Sequence, residues 1–489
     1  MGSDDLNKKA LSGVIWTFIE RISTQATGTI VGIIIARILM PSDYGIIAVV
    51  NIFITLCNVL VVTGLGESLI QKKDADELDF SSIFYVNLIL AVIMYVGLFF
   101  AAPLFSEIYG AEYAQLTPIM RVLAIRLIFS AINSIQRAKV VRELAFKKIF
   151  FVSSLANAVS AVIGISMAYH GCGVWALVAQ NMTYSGLEMI LLFIFAAWYP
   201  KWIFSWRRMR SLISYGWKIL AGAITSTIVG EAQNFFIGLK YSPADLAFYS
   251  KGKTYPGLLS NNLTNSISIT LYPVLAKVQD DRERGRQFLK TSISSALFVV
   301  APGLVGFSVV AVPFVKLFLT AKWLPCVPYL QLMCYVCILR PVIRMNWQGL
   351  CARGKSGVYL SLSTVSQITY LLLLLFALKH GVYAIAVSFL IATCVEYLIS
   401  TIMTSRYYKY GILLQIYDNL KTILSVTAMG TVVFFTGKIV VRYSPAIVLV
   451  IQITIGTLFF TFLSVALKNP TFENLIIQIR NLFLSKVKS

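Results

Sequence analysis

Long continuous apolar runs, separated by short polar connections, occupy nearly the whole chain. A helix needs about 20 apolar residues to cross a hydrocarbon core. On that measure the pattern predicts roughly fourteen spans, near 10–38, 44–68, 80–104, 115–138, 147–169, 173–198, 212–239, 245–276, 288–316, 326–350, 357–379, 382–405, 419–441 and 445–467. The runs are continuous rather than alternating, which favours helices over the strands of a membrane barrel. The expected fold is an all-α polytopic membrane protein.

Polar positions inside the runs are not scattered. From Val14 to Gly45 the chain reads VIWTFIERISTQATGTIVGIIIARILMPSDYG, and Thr17, Arg21, Thr24, Gln25, Gly28 and Gly32 recur at steps of three or four, one helical face. Glu20 and Arg21 lie inside this apolar run, where an ionised group is costly unless it faces a bundle interior or a wet cavity. The design returns later in the chain. IARILMPSDYGIIA at Ile35–Ala48 matches IGLKYSPADLAFYS at Ile237–Ser250, and GVWA at Gly173 matches GVYA at Gly381, a register that carries Glu188 onto Glu396. This predicts two pseudo-repeated six-helix lobes, 1–200 and 212–410, joined by an interfacial linker at 201–211. Two further spans follow at 411–468, then an amphipathic cytoplasmic tail at 469–489. Duplicated membrane halves are a transporter signature, with the binding site expected between them. The aromatic and arginine-rich stretch Trp198–Trp217 suits a helix lying in the membrane interface.

Composition agrees with the pattern: 58% of 489 residues are hydrophobic, 13% are charged, and the mean hydropathy is +0.78. The net charge of +21 would suggest nucleic acid in a soluble protein. Here the basic residues collect in alternate connections, among them Arg137–Lys148, Lys201–Arg210, Lys277–Lys290, Arg353–Lys355 and Arg406–Lys421. Such alternation places those loops and both termini in the cytoplasm and removes nucleic acid as a partner. Met1 to Lys9 lead straight into a span without a small-residue cleavage site.

Enzyme motifs fail on context. Asp74-Ala75-Asp76 has the D-x-D form by which glycosyltransferases hold a metal, but no globular domain accompanies it. Cys334 and Cys337 form a CxxC inside an apolar helix, which reads as buried free thiols. His170 and His380 each adjoin a glycine and read as turn residues, so no metal site is expected. There is no Walker A sequence to supply ATP drive.

Buried charge remains, and cations outnumber acids. Arg21, Arg121, Arg126, Lys218, Lys251, Lys253, Arg340 and Arg344 fall within predicted spans, against Glu20, Glu188, Glu231 and Glu396. Lys251 and Lys253 lie near a span end and are expected to snorkel. A wet cavity with surplus guanidinium suits a multiply anionic ligand, above all phosphate. Thr24, Gln25 and Asn234 are candidates for hydrogen-bonding walls. The four glutamates are candidates for carrying a proton or sodium ion, and helix packing explains them equally well. No other cofactor is expected.

ARILMPSDYGIIAVVNIFI, GLGESLIQKKDADELDFSSIFYVNL and RAKVVRELAFKKI resemble the polysaccharide transporter branch of the multidrug/oligosaccharidyl-lipid/polysaccharide (MOP) superfamily, and within it the Wzx flippases of the colanic-acid type. The resemblance implies a flippase, not an enzyme, which carries undecaprenyl-diphosphate-linked oligosaccharide across the bacterial inner membrane for capsule, exopolysaccharide or O-antigen assembly by alternating access. Membrane lipids, a polysaccharide polymerase and glycosyltransferases are its implied partners. Two other readings stay open. A cation-coupled multidrug exporter of the same superfamily would have a net acidic cavity and about twelve spans; a membrane glycosyltransferase or polymerase would carry a sizeable outer loop.

Overall fold

The computed structural model describes residues 3–63, 69 and 74–487, and the side chains of most of them. Among these the chain is helical throughout, with no strand. The helices are α1 (Ser3–Ile38), α2 (Pro41–Val62), α3 (Glu77–Tyr109), α4 (Leu116–Leu123), α5 (Arg126–Arg142), α6 (Phe146–Tyr169), α7 (Val174–Ala196), α8 (Trp206–Lys240), α9 (Pro243–Lys277), α10 (Arg282–Val309), α11 (Val327–Ala352), α12 (Ser356–Ala377), α13 (Val382–Tyr408), α14 (Ile412–Asp418), α15 (Leu420–Ile439), α16 (Pro445–Ala466) and α17 (Pro470–Val487). Eleven helical stretches among the described residues are long and apolar enough to cross a membrane. The chain divides into two compact units, Met1–Ala247 and Phe248–Ser489.

The run predicted at 115–138 is interrupted. Leu127 and Ile128 donate to the carbonyls of Ala124 and Ile125, three residues back, so the backbone tightens there and separates α4 from α5. The stretch read as an interfacial helix also differs: residues 198–205 are not helical, and α8 starts only at Trp206. This strap is tied to α3 and α5. Gln136 donates to the Trp198 carbonyl at 3.0 Å, the Trp198 indole donates to Glu77 at 2.9 Å, and the backbone amides of Lys201 and Ser205 donate to Ser81 and Ser82. With its backbone groups taken by side chains, the segment has no need of helical bonds.

The D-x-D motif is used structurally. Asp76 caps α3 in a reciprocal box with Asp79 and meets Arg208 at 2.6 Å. The Arg208 guanidinium pulls the Asp76 carboxyl down to about 2. Because this pKa is depressed, the tie contributes above the ordinary carboxylate range and is lost as pH falls through about 2. No cluster of three or more His, Cys, Asp or Glu able to hold a metal occurs among the described residues.

The two P-x-D turns open helices in the same way. Asp43 accepts from the Met40 amide ahead of α2, and Asp245 accepts from the Ser242 amide ahead of α9. They also touch: a Cβ added at Gly45 would lie 1.8 Å from the Pro243 carbonyl oxygen. Only glycine allows this approach. Gly45→Ala is therefore expected to destabilise the first unit by about 1–3 kcal/mol, the usual cost of overpacking, visible as a lower unfolding temperature of detergent-purified protein. An unchanged unfolding temperature would mean that the turns separate without cost.

Candidate functional site

In the first unit, charged and polar side chains from four helices meet. On α5, Arg126, Asn133 and Arg137 fall at steps of seven and four, which puts them on one face. On α7, Ser185 and Glu188 are one turn apart. Arg126 donates from Nε to the Ser185 hydroxyl at 3.2 Å. Glu188 accepts from Asn133 at 3.2 Å on one carboxylate oxygen and from Arg137 Nε at 3.2 Å on the other. Arg137 Nη2 reaches that second oxygen as well and also donates to Ser153 on α6 at 3.0 Å. Glu20 on α1 is within electrostatic reach of Arg137 and of Tyr184. Helix α1 is held alongside by Asn157, which donates to the Thr24 carbonyl at 3.2 Å.

Other candidates in this unit stand apart from the carboxylate. Arg21 is exposed on α1. Arg121 donates to the Phe99 carbonyl at 3.2 Å and lies 4.3 Å above the Phe99 ring, so α3 occupies its guanidinium. Thr24 has a buried hydroxyl without a partner among the described residues, and Gln25 is half-buried one position on. Glu231 accepts from Asn234, three residues on along α8, at 2.8 Å. Lys218 is also on α8, with its side chain outside the described residues.

The second unit builds a different constellation in matching register. Helices α5 and α11 end on the same turn: Ala145 and Lys355 donate to the carbonyls of Val140 and Leu350, with Leu144 and Gly354 at positive φ. That alignment sets Trp347 where the first unit has Arg137. Trp347 donates its indole N–H to Glu396 on α13 at 3.2 Å. A neutral donor thus stands where the first unit has a guanidinium. Arg340, two turns earlier on α11, is within electrostatic reach of Glu396 and lies 5.4 Å over the Phe389 ring. Lys253 of α9 lies 5.8 Å from the centre of that same ring, and Lys251 is 5.7 Å from Trp323. Arg344 is exposed one turn beyond Arg340 and, like Glu396, within electrostatic reach of Tyr359.

The charge balance of the two constellations differs. Arg126 and Arg137 both face Glu188, and Arg137 also Glu20, whereas Arg340 has Glu396 within electrostatic reach and shares the Phe389 ring with Lys253. Sequence reasoning assigned Arg137 to a basic loop and passed over Asn133, Ser153, Trp347 and Phe389. The signal was the spacing of Asn133 and Arg137 from Arg126. His170 and His380 bond the carbonyls of Ser166 and Phe376, four residues back, and so serve the turns at their glycines.

The profile of a family described as "Polysaccharide biosynthesis protein" matches residues 34–328. The chain belongs to that polysaccharide biosynthesis protein family. The expected likeness to polysaccharide biosynthesis transport proteins agrees with this match. It is 24% identical over 327 residues to the succinoglycan biosynthesis transport protein ExoT of Rhizobium meliloti, a match covering 67% of this chain and 66% of that protein. It is 23% identical to the lipopolysaccharide biosynthesis protein WzxC of Escherichia coli, over 87% of this chain and 89% of the other. Its fold is similar to that of the lipid II flippase MurJ in an inward closed conformation, with a TM-score of 0.74 and 15% identity over 95% of this chain and 100% of that one. A membrane-embedded transporter is the class these relatives and the eleven candidate spans support.

Proposed function

We propose that this polysaccharide biosynthesis protein is a flippase for undecaprenyl-diphosphate-linked oligosaccharide repeat units, moving them from the cytoplasmic to the outer leaflet of a bacterial inner membrane by alternating access through a cationic cavity. The observation that carries the reading is the pair of cations that share one ring in the second unit: Arg340 and Lys253 lie 5.4 and 5.8 Å from the centre of Phe389, with Glu396 within electrostatic reach of Arg340. A diphosphate carries about two negative charges and cannot enter hydrocarbon alone, because burying an uncompensated charge costs several kcal/mol even after relaxation. Guanidinium and ammonium groups already held inside helices offset that cost. A drug exporter that carries cations would need the opposite balance. The proposal takes Thr24, Gln25 and Asn234 as walls for the sugar, the lobes 1–200 and 212–410 as the moving parts, both termini as cytoplasmic, and polymerase and glycosyltransferases as neighbours.

Deleting the gene and analysing the lipid-linked glycans tests this directly. The expected outcome is loss of one surface polysaccharide, with its diphosphate-linked repeat unit accumulating in the inner leaflet. Unchanged surface polysaccharide and no accumulated intermediate would refute it.

A further inference from the structure

A cavity of about 220 Å³ lies in the second unit where α10 and α15 end and α16 begins, and none of the site residues above lines it. Two ammonium groups do. Lys438 belongs to the last turn of α15, and its Nζ lies 4.7 Å from the centre of the Phe434 ring, which lines the same space. Lys316 comes from the segment after α10, where Val315–Leu319 wind as a π-helix and run into Thr320 at a φ of 81°. A π-turn is rare and a positive φ is strained for a β-branched residue; such departures gather at functional sites. Both lysines are exposed, neither is in a hydrogen bond or an ion pair among the described residues, and no acidic side chain lines the cavity.

A buried amide completes the lining. Gln452 on α16 is only 3% exposed and borders the cavity. Its Nε2 donates to the Val433 carbonyl at 3.1 Å and packs against Gly437, where any side chain would collide with it. Its Oε1 has no partner among the described residues. A buried acceptor without a donor is costly, and the cavity is far larger than one water needs. These groups specify the chemistry of a ligand. Unpaired ammonium groups call for an anion such as phosphate, and the amide oxygen calls for a hydroxyl or N–H donor. The surroundings indicate what presents them. The predicted spans 288–316 and 419–441 end here and 445–467 begins here, which is the headgroup level of a bilayer. Ile439, Val441 and Tyr443 are exposed beside the lysines, and Val312 and Val448 line the cavity itself. Anion, donor and apolar body together describe a lipid headgroup.

We propose that this cavity binds an anionic phospholipid with a hydroxylated headgroup, its phosphate at Lys316 and Lys438 and a headgroup hydroxyl donating to Gln452 Oε1. The test is native mass spectrometry of the full-length, delipidated protein. It is titrated with phosphatidylglycerol, with phosphatidylmethanol, which has the same charge and no headgroup hydroxyl, and with phosphatidylcholine, and is competed with glycerol 3-phosphate. Phosphatidylglycerol is expected to bind tightest, roughly fivefold ahead of phosphatidylmethanol, as one hydrogen bond gives. Lys316→Gln combined with Lys438→Gln should weaken both anionic lipids roughly tenfold and leave phosphatidylcholine where it was. Gln452→Leu should erase the difference between the two anionic lipids while keeping the phosphatidylmethanol affinity, a result that general loosening of the fold would not give. Unaltered phosphatidylglycerol affinity in the double lysine variant would overturn the site, and a preference that survives Gln452→Leu would overturn the part given to the amide. Displacement of the lipid by an equal concentration of glycerol 3-phosphate would overturn the lipid as its source.

Discussion

Glu188→Gln is expected to destabilise the protein by roughly 3 kcal/mol, the low end of the cost of breaking a buried ion pair. Glu188 has 10% of its side chain exposed and holds Arg137, Asn133 and, through Arg137, Ser153. The glutamine keeps its shape but takes away the carboxylate bonded to the Arg137 guanidinium, leaving Glu20 as a counter-charge in electrostatic reach only. Arg137 retains 36% exposure, so water recovers part of the loss, and hence the low end of the range. Thermal unfolding in detergent measures the effect. Arg137→Met combined with Glu188→Leu should restore most of the stability, because a packed apolar pair replaces a buried ionic one at little cost. Export should return with it, since the pair is a tie between α5 and α7. Glu396→Gln offers the contrast: among the described residues a neutral indole donates to this carboxylate and Arg340 is in electrostatic reach only, so the exchange should cost less, about 1 kcal/mol. Equal losses from Glu188→Gln and Glu396→Gln would contradict this division of roles.

The same two glutamates mark how far sequence reasoning reaches. Their register followed from GVWA and GVYA, because glycine at positive φ opens α7 and α13 alike. Helix positions were legible because apolar runs are local, and the match of Asp43 to Asp245 because the two segments repeat; that each aspartate accepts from the amide ahead of its helix is seen only in the structure. Pairing was not legible. Arg137 and Glu188 are 51 positions apart, and in sequence Arg137 is one of several basic residues at the end of a span. Nothing local separates a guanidinium that turns inward from one that faces water. The strap at 198–205 escaped for a related reason: aromatic and basic residues suit an interfacial helix, and the serine hydroxyls that take its backbone amides come from α3, more than a hundred residues earlier.

Arg340→Ala should reduce export of lipid-linked oligosaccharide by roughly 10- to 100-fold while leaving protein levels unchanged, the range expected from losing one charged hydrogen bond to phosphate. Arg340 and Lys253 both lie over the Phe389 ring, at 5.4 and 5.8 Å. Each gains about 0.5–2 kcal/mol from that ring, but two like charges on one aromatic repel each other. A dianion between them relieves the repulsion and makes use of it. A multiply charged headgroup therefore gains more from this pair than a monoanion does. Folding should survive the substitution because Arg340 is exposed, so the loss falls on transport. Arg340→Lys separates charge from geometry: it keeps the charge and loses the bidentate grip, so it should export at an intermediate level. Lys253→Ala should resemble Arg340→Ala, because both cations lie at the Phe389 ring, whereas Arg344→Ala, one turn further on, should show a smaller loss. Surface polysaccharide at normal levels in both Arg340→Ala and Lys253→Ala would sink the cationic route for the diphosphate, whatever family the chain belongs to.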